Sequence, residues 1–324
     1  FEVLPGLTLI AGARYAKNKF DFTNMQGGPF NGGTTSSVGK QSETSFTPKV
    51  GISYEPNPDL TFYATASKGY RPGGANTAVS ATRCATDLNE LGLTKAPDTY
   101  GSDSLWSYEA GAKGQMFDRT LTFESSAYYI KWKGIQNSVG LPNCGFQFIA
   151  NLGEAEVKGF DLRLALRPAA GLTLEGTIAH TDARYTQEVL GTTTAAGTRS
   201  VITAAGQPLP TPPWQLNFAF AYERSLNPDW DGYLRADYNY AKGYNLALPG
   251  TFSYDATDPS RESTNFAALR VGARRGDLDV SAFVDNIFNS TDRLSVSHST
   301  LASPLIRDVT FRPRTFGVTT TFRY

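Results

Sequence analysis

The chain has 324 residues and carries thirty basic and thirty acidic side chains, so its formal net charge is zero. Charged residues make up only 19% of it, which excludes the basic surface a nucleic-acid partner needs. Twenty Phe, sixteen Tyr, four Trp and thirty-one Gly suit β-structure with many turns, and no apolar run reaches the ~18–20 residues of a membrane helix.

In chain order, Phe1-Glu2-Val3-Leu4 reads as the tail of an earlier strand, closed by a Pro5-Gly6 turn. The chain is therefore read as a fragment whose N-terminal portion is missing. Twelve amphipathic segments follow, each with apolar residues at every second position, the period of a strand. The first carries Leu7, Leu9, Ala11, Ala13 and Tyr15; the second Val50, Ile52 and Tyr54; the third Leu60, Phe62, Ala64 and Ala66. Trp106, Tyr108, Ala110 and Ala112 mark the fourth, Leu121, Phe123, Ala127 and Tyr129 the fifth, and Phe160, Leu162, Leu164 and Leu166 the sixth. Leu172, Leu174 and Ile178 mark the seventh, Leu216, Phe218, Phe220 and Tyr222 the eighth, and Leu234, Ala236, Tyr238 and Tyr240 the ninth. Leu269, Val271 and Ala273 form the tenth, and Leu278, Val280, Ala282 and Val284 the eleventh. The last runs from Val309 to Tyr324, with Phe316, Val318, Phe322 and Tyr324 on one face.

Connections alternate in length. Short turns rich in Pro, Gly, Asn and Asp stand at 56–59, 117–119, 168–171, 227–231 and 276–277. Long polar connections stand at 23–42, 72–102, 137–145, 188–209, 245–262 and 289–308. An up-and-down meander would put every long loop at one end, as in a transmembrane β-barrel with one end outside the cell. Lipid-facing and lumen-facing residues then alternate, which hides such strands from a hydropathy scan. Charges cannot cheaply face lipid, so Glu109, Glu124, Arg163, Glu175, Asp237 and Arg323 are expected on the lumen side. Phe62, Tyr108, Phe123, Leu164, Phe220, Tyr238, Val280 and Phe322 are expected on the lipid side.

Several stretches resemble TonB-dependent outer-membrane receptors. Ala66–Gly74, with Ser67-Lys68-Gly69-Tyr70-Arg71-Pro72-Gly73-Gly74, is similar to their "SKGYRPGG" strand end, and Ser107–Lys113 to "SYELGLK". Asn151–Asp161 resembles "NAGKAEIKGFE", Val284–Asn289 "VKNLFD", and Pro313–Gly317 the "PRTYG" start of the final strand. The Phe322-Arg323-Tyr324 ending is similar to the last strand of such barrels, whose terminal aromatic sits in the interfacial girdle. The resemblance implies an all-β, antiparallel, up-and-down transmembrane barrel, of which residues 1–324 are the C-terminal twelve strands of 22. It further implies active uptake of a scarce solute, most often a ferric siderophore, by a monomer in the outer-membrane lipid of a Gram-negative cell. Contact with TonB would run through the missing plug domain. Vitamin B12, haem or an oligosaccharide are alternative ligands, and a passive porin is an alternative class.

No catalytic residue is expected, and no cofactor or metal site: His180 and His298 have neither metal-ligand spacing nor a Ser/His/Asp set. At the outer mouth, lumen parity picks out Arg71, Trp132 and Tyr185, and the long loops add Tyr100. Arginine beside aromatics suits an anionic aromatic chelate, through charge-assisted hydrogen bonds and stacking. Cys84 and Cys144 fall in two long loops at that end, and in an exported protein an even loop pair reads as a disulfide.

Overall fold

The computed structural model describes residues 1–298, 300 and 303–324. Thirteen strands form one sheet: Glu2–Leu4, Leu7–Gln26, Thr35–Asn57, Leu60–Arg71, Asp103–Met116, Leu121–Lys133, Glu154–Ala169, Leu172–Tyr185, Trp214–Asn227, Trp230–Ala241, Thr264–Arg275, Leu278–Asp285 and Thr315–Phe322. Each pairs antiparallel with the strand next in the chain, so the sheet is an uninterrupted meander. These are the twelve segments read from the alternation, with Glu2–Leu4 as the strand tail before them. Among the described residues the sheet is open, with Glu2–Leu4 and Thr315–Phe322 at its two edges.

Two spans differ from the sequence reading. The segment 23–42 is mostly strand: Leu7–Gln26 and Thr35–Asn57 stay paired as far as Gln26 opposite Thr35, leaving a connection of 27–34. This outer half of the hairpin has polar residues on both faces, such as Ser36, Ser37, Lys40, Gln41, Ser42 and Glu43, and so shows no period-two signal. The final strand is shorter than the reading from Val309. Ile306–Thr310 pairs instead with Arg293–His298 in a loop ribbon, and strand pairing to the sheet covers only Thr315–Phe322. Pro313 marks the break, since it lacks a backbone donor for the ladder.

Register carries each face unbroken across the strands. Phe123 lies opposite Leu164, Leu164 opposite Gly176, Gly176 opposite Phe218 and Phe218 opposite Tyr238, which joins three of the residues expected on the lipid side, Phe123, Leu164 and Tyr238, in one row. Of the residues expected on this face, Phe62, Tyr108, Leu164 and Phe322 are exposed, and Phe123, Phe220, Tyr238 and Val280 are half-buried. Lys113, Glu124, Arg163 and Thr177 form the adjacent row of the other face and line a cavity of about 190 Å³ with Tyr63 and Asp161. Opposite signs thus meet across neighbouring strands on the polar face, and no charge of that row stands among the apolar one.

The short turns depend on backbone freedom at a few positions. Gly171 has φ +75°, and a Cβ there would collide with the Glu223 carbonyl. Asn286 ends the Leu278–Asp285 strand at φ 52° and is 1% exposed. Its Nδ2 donates to Ser290 O and Arg312 O, both at 2.9 Å, and its Oδ1 accepts from Ser290 N at 2.8 Å. One side chain thereby closes the neck of the last long loop.

The apolar core does not lie inside the sheet. It lies among the long connections at one end, where Cys84, Leu88, Leu91, Ile135, Val139, Leu141, Phe148 and Leu152 pack with Ala155 and Tyr185 at the strand ends. A six-residue helix, Ala85–Glu90, belongs to this core, as do ribbons such as Gln136–Leu141 with Phe146–Asn151.

Candidate functional site

Arg71 ends the Leu60–Arg71 strand, directly opposite Asp103, the first residue of the next strand in the sheet. Its Nε donates to Asp103 Oδ2 at 3.1 Å, and its Nη2 both pairs with the same carboxylate and donates to Gln136 O at 3.0 Å. Asp103 is 3% exposed, whereas 49% of the Arg71 side chain stays open. The guanidinium also lies over Trp132, 5.4 Å from the ring centroid. A fixed carboxylate beneath and an indole beside hold the fork in one orientation with its outer edge free.

Trp132, Ala155 and Tyr185 follow in one cross-strand row. Tyr185 is 2% exposed; its Oη accepts from Asn137 Nδ2 at 2.8 Å, and burial pushes the phenol pKa up. Tyr185 is thus part of the loop core rather than an open contact. Trp132 packs against that core, and its indole Nε1 is buried with no hydrogen-bond partner among the described residues. Tyr100 sits in a short ribbon with Gly74, and its carbonyl accepts from Gln41 Nε2 at 2.9 Å. Arg71 and Trp132 are therefore brought into contact, Tyr185 lies two row positions beyond Trp132, across Ala155, and Tyr100 stands at the neighbouring loop neck. No group of His, Cys, Asp and Glu able to hold a metal ion occurs among the described residues.

Cys84 and Cys144 form a disulfide with their Cα atoms 5.2 Å apart, joining the 72–102 and 134–153 connections. Asp87, fully buried on the short helix, reinforces the join by accepting from Asn143 N at 3.1 Å, Asn143 Nδ2 at 2.8 Å and Cys144 N at 3.0 Å. Asn76 adds a second clamp, donating to Pro97 O at 3.0 Å and Ile149 O at 2.9 Å and accepting from Ile149 N at 2.7 Å. Gln136 Nε2 donates to Pro72 O at 2.8 Å and Gly101 O at 3.0 Å, across the neck of the 72–102 connection.

None of these clamps was legible in the sequence, because each is a lone polar residue in a connection and reaches a partner far along the chain. Glu43 is another. Its carboxylate accepts from Gly73 N at 2.7 Å, Ser102 N at 2.8 Å, Gln41 Nε2 at 2.9 Å and Tyr70 Oη at 3.1 Å. A Cβ at Gly73 would collide with the Tyr100 carbonyl and the Gln41 amide, so the glycine of the "RPGG" stretch is what lets the loop neck approach this carboxylate. Partial burial alone would raise the Glu43 pKa, but the Gly73 and Ser102 amides, with Gln41 and Tyr70, outweigh it and hold the group below its ordinary value. A depressed pKa means that Glu43 stabilises the neck above the ordinary carboxylate range and that this contribution fades as pH falls through the folded value. Hydrogen exchange at the Gly73 and Ser102 amides is therefore expected to speed up in acid beyond the intrinsic rate. Glu43→Gln should exchange fast at neutral pH with no further acid-linked step; unchanged protection in the variant would contradict the assignment.

The family model described as "TonB dependent receptor-like, beta-barrel" matches residues 1–287. Over 181 residues the chain is 29% identical to the metal-pseudopaline receptor CntO of Pseudomonas aeruginosa, covering 55% of this chain and 22% of that protein. Among solved structures, the ferric yersiniabactin uptake receptor FyuA of Yersinia pestis superposes with a TM-score of 0.73 at 15% identity, over 99% of this chain and 43% of that one. The ferric-catecholate import receptor Fiu of E. coli K12, in its closed form, gives 0.68 at 16% identity over 99% and 43%. The chain thus spans less than half the length of these proteins. With the model matched over residues 1–287 and the meander shared with receptors of that fold, the chain belongs to the TonB-dependent receptor family, in its β-barrel region.

Proposed function

We propose that this chain is the C-terminal barrel portion of a monomeric outer-membrane receptor that captures a metal–siderophore complex, iron foremost, and imports it with energy delivered through TonB. The observation that carries the reading is the half-exposed Arg71 side chain, its guanidinium held by Asp103 and laid on Trp132 at the mouth of a barrel of this family. Siderophore complexes are commonly anionic and rich in planar groups, which suits charge-assisted hydrogen bonds from the free edge of Arg71 and stacking nearby. The similar proteins CntO, FyuA and Fiu are named for a metal–pseudopaline, a ferric yersiniabactin and a ferric catecholate ligand, which supports a metal chelate over a sugar or B12. Tyr100 would add an aromatic contact at the loop neck, and Tyr185 would hold Trp132 in place from within the core. Energy coupling belongs to a plug region outside residues 1–324, so none of these residues is assigned to it. The role is transport and not catalysis.

Arg71→Ala and Trp132→Phe, made in the receptor that carries this barrel, are each expected to weaken binding of the radiolabelled ferric chelate by about tenfold, the loss of one charge-assisted or one stacking contact. Uptake should stop when a protonophore collapses the proton gradient. Wild-type affinity in both variants would remove these residues from the site, and uptake that survives the protonophore would favour passive diffusion.

A further inference from the structure

The apolar face of the sheet changes character near the loop end. Lys68, Trp106, Lys131, Glu156 and Arg184 are direct cross-strand partners in one row across five strands. The next row toward the short turns holds Ala66, Tyr108, Tyr129, Lys158 and Asp182. By parity both rows share the face of Phe62 and Leu164, where charge is otherwise absent from the rows described above. Lys131 lies about ten residues along its strand from the short-turn end, roughly 25 Å at barrel tilt, which is the outer border of an apolar band. Charged groups are tolerated there, where a strand meets lipid headgroups.

The rows are ordered. Trp106 stacks on Tyr108 with centroids 6.2 Å apart, and Tyr108 on Tyr129 at 6.3 Å. The ammonium groups of Lys131 and Lys158 stand 5.6 Å and 5.4 Å from the Tyr129 ring centroid. Lys158 is paired with Glu156 at 3.3 Å, Arg184 with Asp182 at 2.7 Å, and Lys133 with Glu154 at 3.5 Å. Glu156 is further engaged by the Tyr129 hydroxyl, which donates to it at 2.6 Å. Lys68 and Lys131, one on each side of Trp106, have no carboxylate within ion-pair distance among the described residues, although Lys131 stands opposite Glu156, and the four cations and two carboxylates of the two rows leave a net charge of about +2. Directly below is a shallow, open depression floored by Ala64, Ala66, Ala110 and Ala127 and flanked by Tyr108 and Tyr129.

We propose that this surface binds one phosphorylated glycolipid of the outer leaflet, its phosphate between Lys68 and Lys131 and an acyl chain in the alanine-floored depression. The inference rests on the outer-membrane reading above. Charge selects the headgroup, because the two unpaired ammonium groups match phosphate and leave a neutral headgroup without a partner. The depression selects a lipid over a free anion, because a chain seated between two tyrosine rings covers apolar surface that a soluble phosphate would leave bare.

The test uses the receptor purified from outer membranes in a non-ionic detergent and titrated with bisphosphorylated lipid A, its dephosphorylated form, and inorganic pyrophosphate, with bound lipid read by native mass spectrometry. Wild type should bind the bisphosphorylated lipid at least tenfold more tightly than the dephosphorylated one and should not retain pyrophosphate. Lys68→Gln with Lys131→Gln should erase that preference, each lysine accounting for about fivefold. Ala110→Leu, which fills the depression and leaves the charges in place, should weaken both lipids alike. Folding of each variant is checked by its heat-modifiable mobility on gels. A preference that survives the double lysine variant, or equal binding of the two lipids by wild type, overturns the proposal while leaving the receptor reading intact. A receptor that does not fractionate with outer membranes overturns both.

Discussion

Replacing Cys84 and Cys144 together by alanine is expected to remove about 4 kcal/mol from the folded state of the loop core, the chain-entropy value for a bond of sequence separation 60. The effect should concentrate at the loop end, because the core there is assembled from connections distant in sequence and carried on only a few strand ends. Asp87 would still hold the Asn143 and Cys144 amides, so the loops should loosen without leaving the barrel. Limited proteolysis of the receptor in detergent is the direct measurement. Cleavage within 72–102 should accelerate by more than tenfold in the variant, while the barrel keeps its heat-modifiable mobility. Equal cleavage rates would mean that the polar clamps, and not the disulfide, hold this core.

The second large effect concerns the apolar face. Leu164 stands between Phe123 and Gly176 in the row that continues to Phe218 and Tyr238, about halfway between the short turn and the charged outer rows. Leu164→Arg should therefore cost about 2–4 kcal/mol of folding free energy in a bilayer. Glu175 is on the opposite face of the neighbouring strand and lines a cavity of about 170 Å³ with Arg163 and Arg167. Glu175→Gln keeps the size and polarity of that side chain and should change folding by well under 1 kcal/mol. Urea titrations of folding into vesicles, read by heat-modifiable mobility, compare the two. A severe Glu175→Gln beside a neutral Leu164→Arg would reverse the assignment of faces.

The period-two alternation determined the strands, their order and the division into two faces. Those features depend on local geometry alone: side chains at i and i+2 share a face, and Pro, Gly, Asn and Asp end a strand wherever they fall. The same logic explains the two spans that it missed. In the outer half of the 7–57 hairpin both faces carry polar side chains, and Gln41 and Glu43 hydrogen-bond to the loop neck, so they show no apolar alternation although they are in strand. Between 309 and 322 the apolar positions change parity, from Val309 and Phe311 to Phe316 and Val318, and Pro313 stands at the change and interrupts the ladder.

Near the loop end, parity alone put Arg71 and Trp132 on one face, because the strand on which each stands fixes its face. Only the tertiary structure decided what surrounds them. It put Asp103 beneath Arg71 and left half of the Arg71 side chain in the open, and it turned Tyr185 inward into a loop core. It also gave Glu43, Asn76 and Gln136 partners from 21 to 73 residues away. A lone polar residue in a connection has no periodicity to read, and its partner is set by how distant loops fold over one another. The charged outer rows on the apolar face show the same limit. The sequence reading expected charge on the lumen side and assigned neither Lys68 nor Lys131 to a face; the register across five strands is what aligns them with Trp106 on the apolar face at one height.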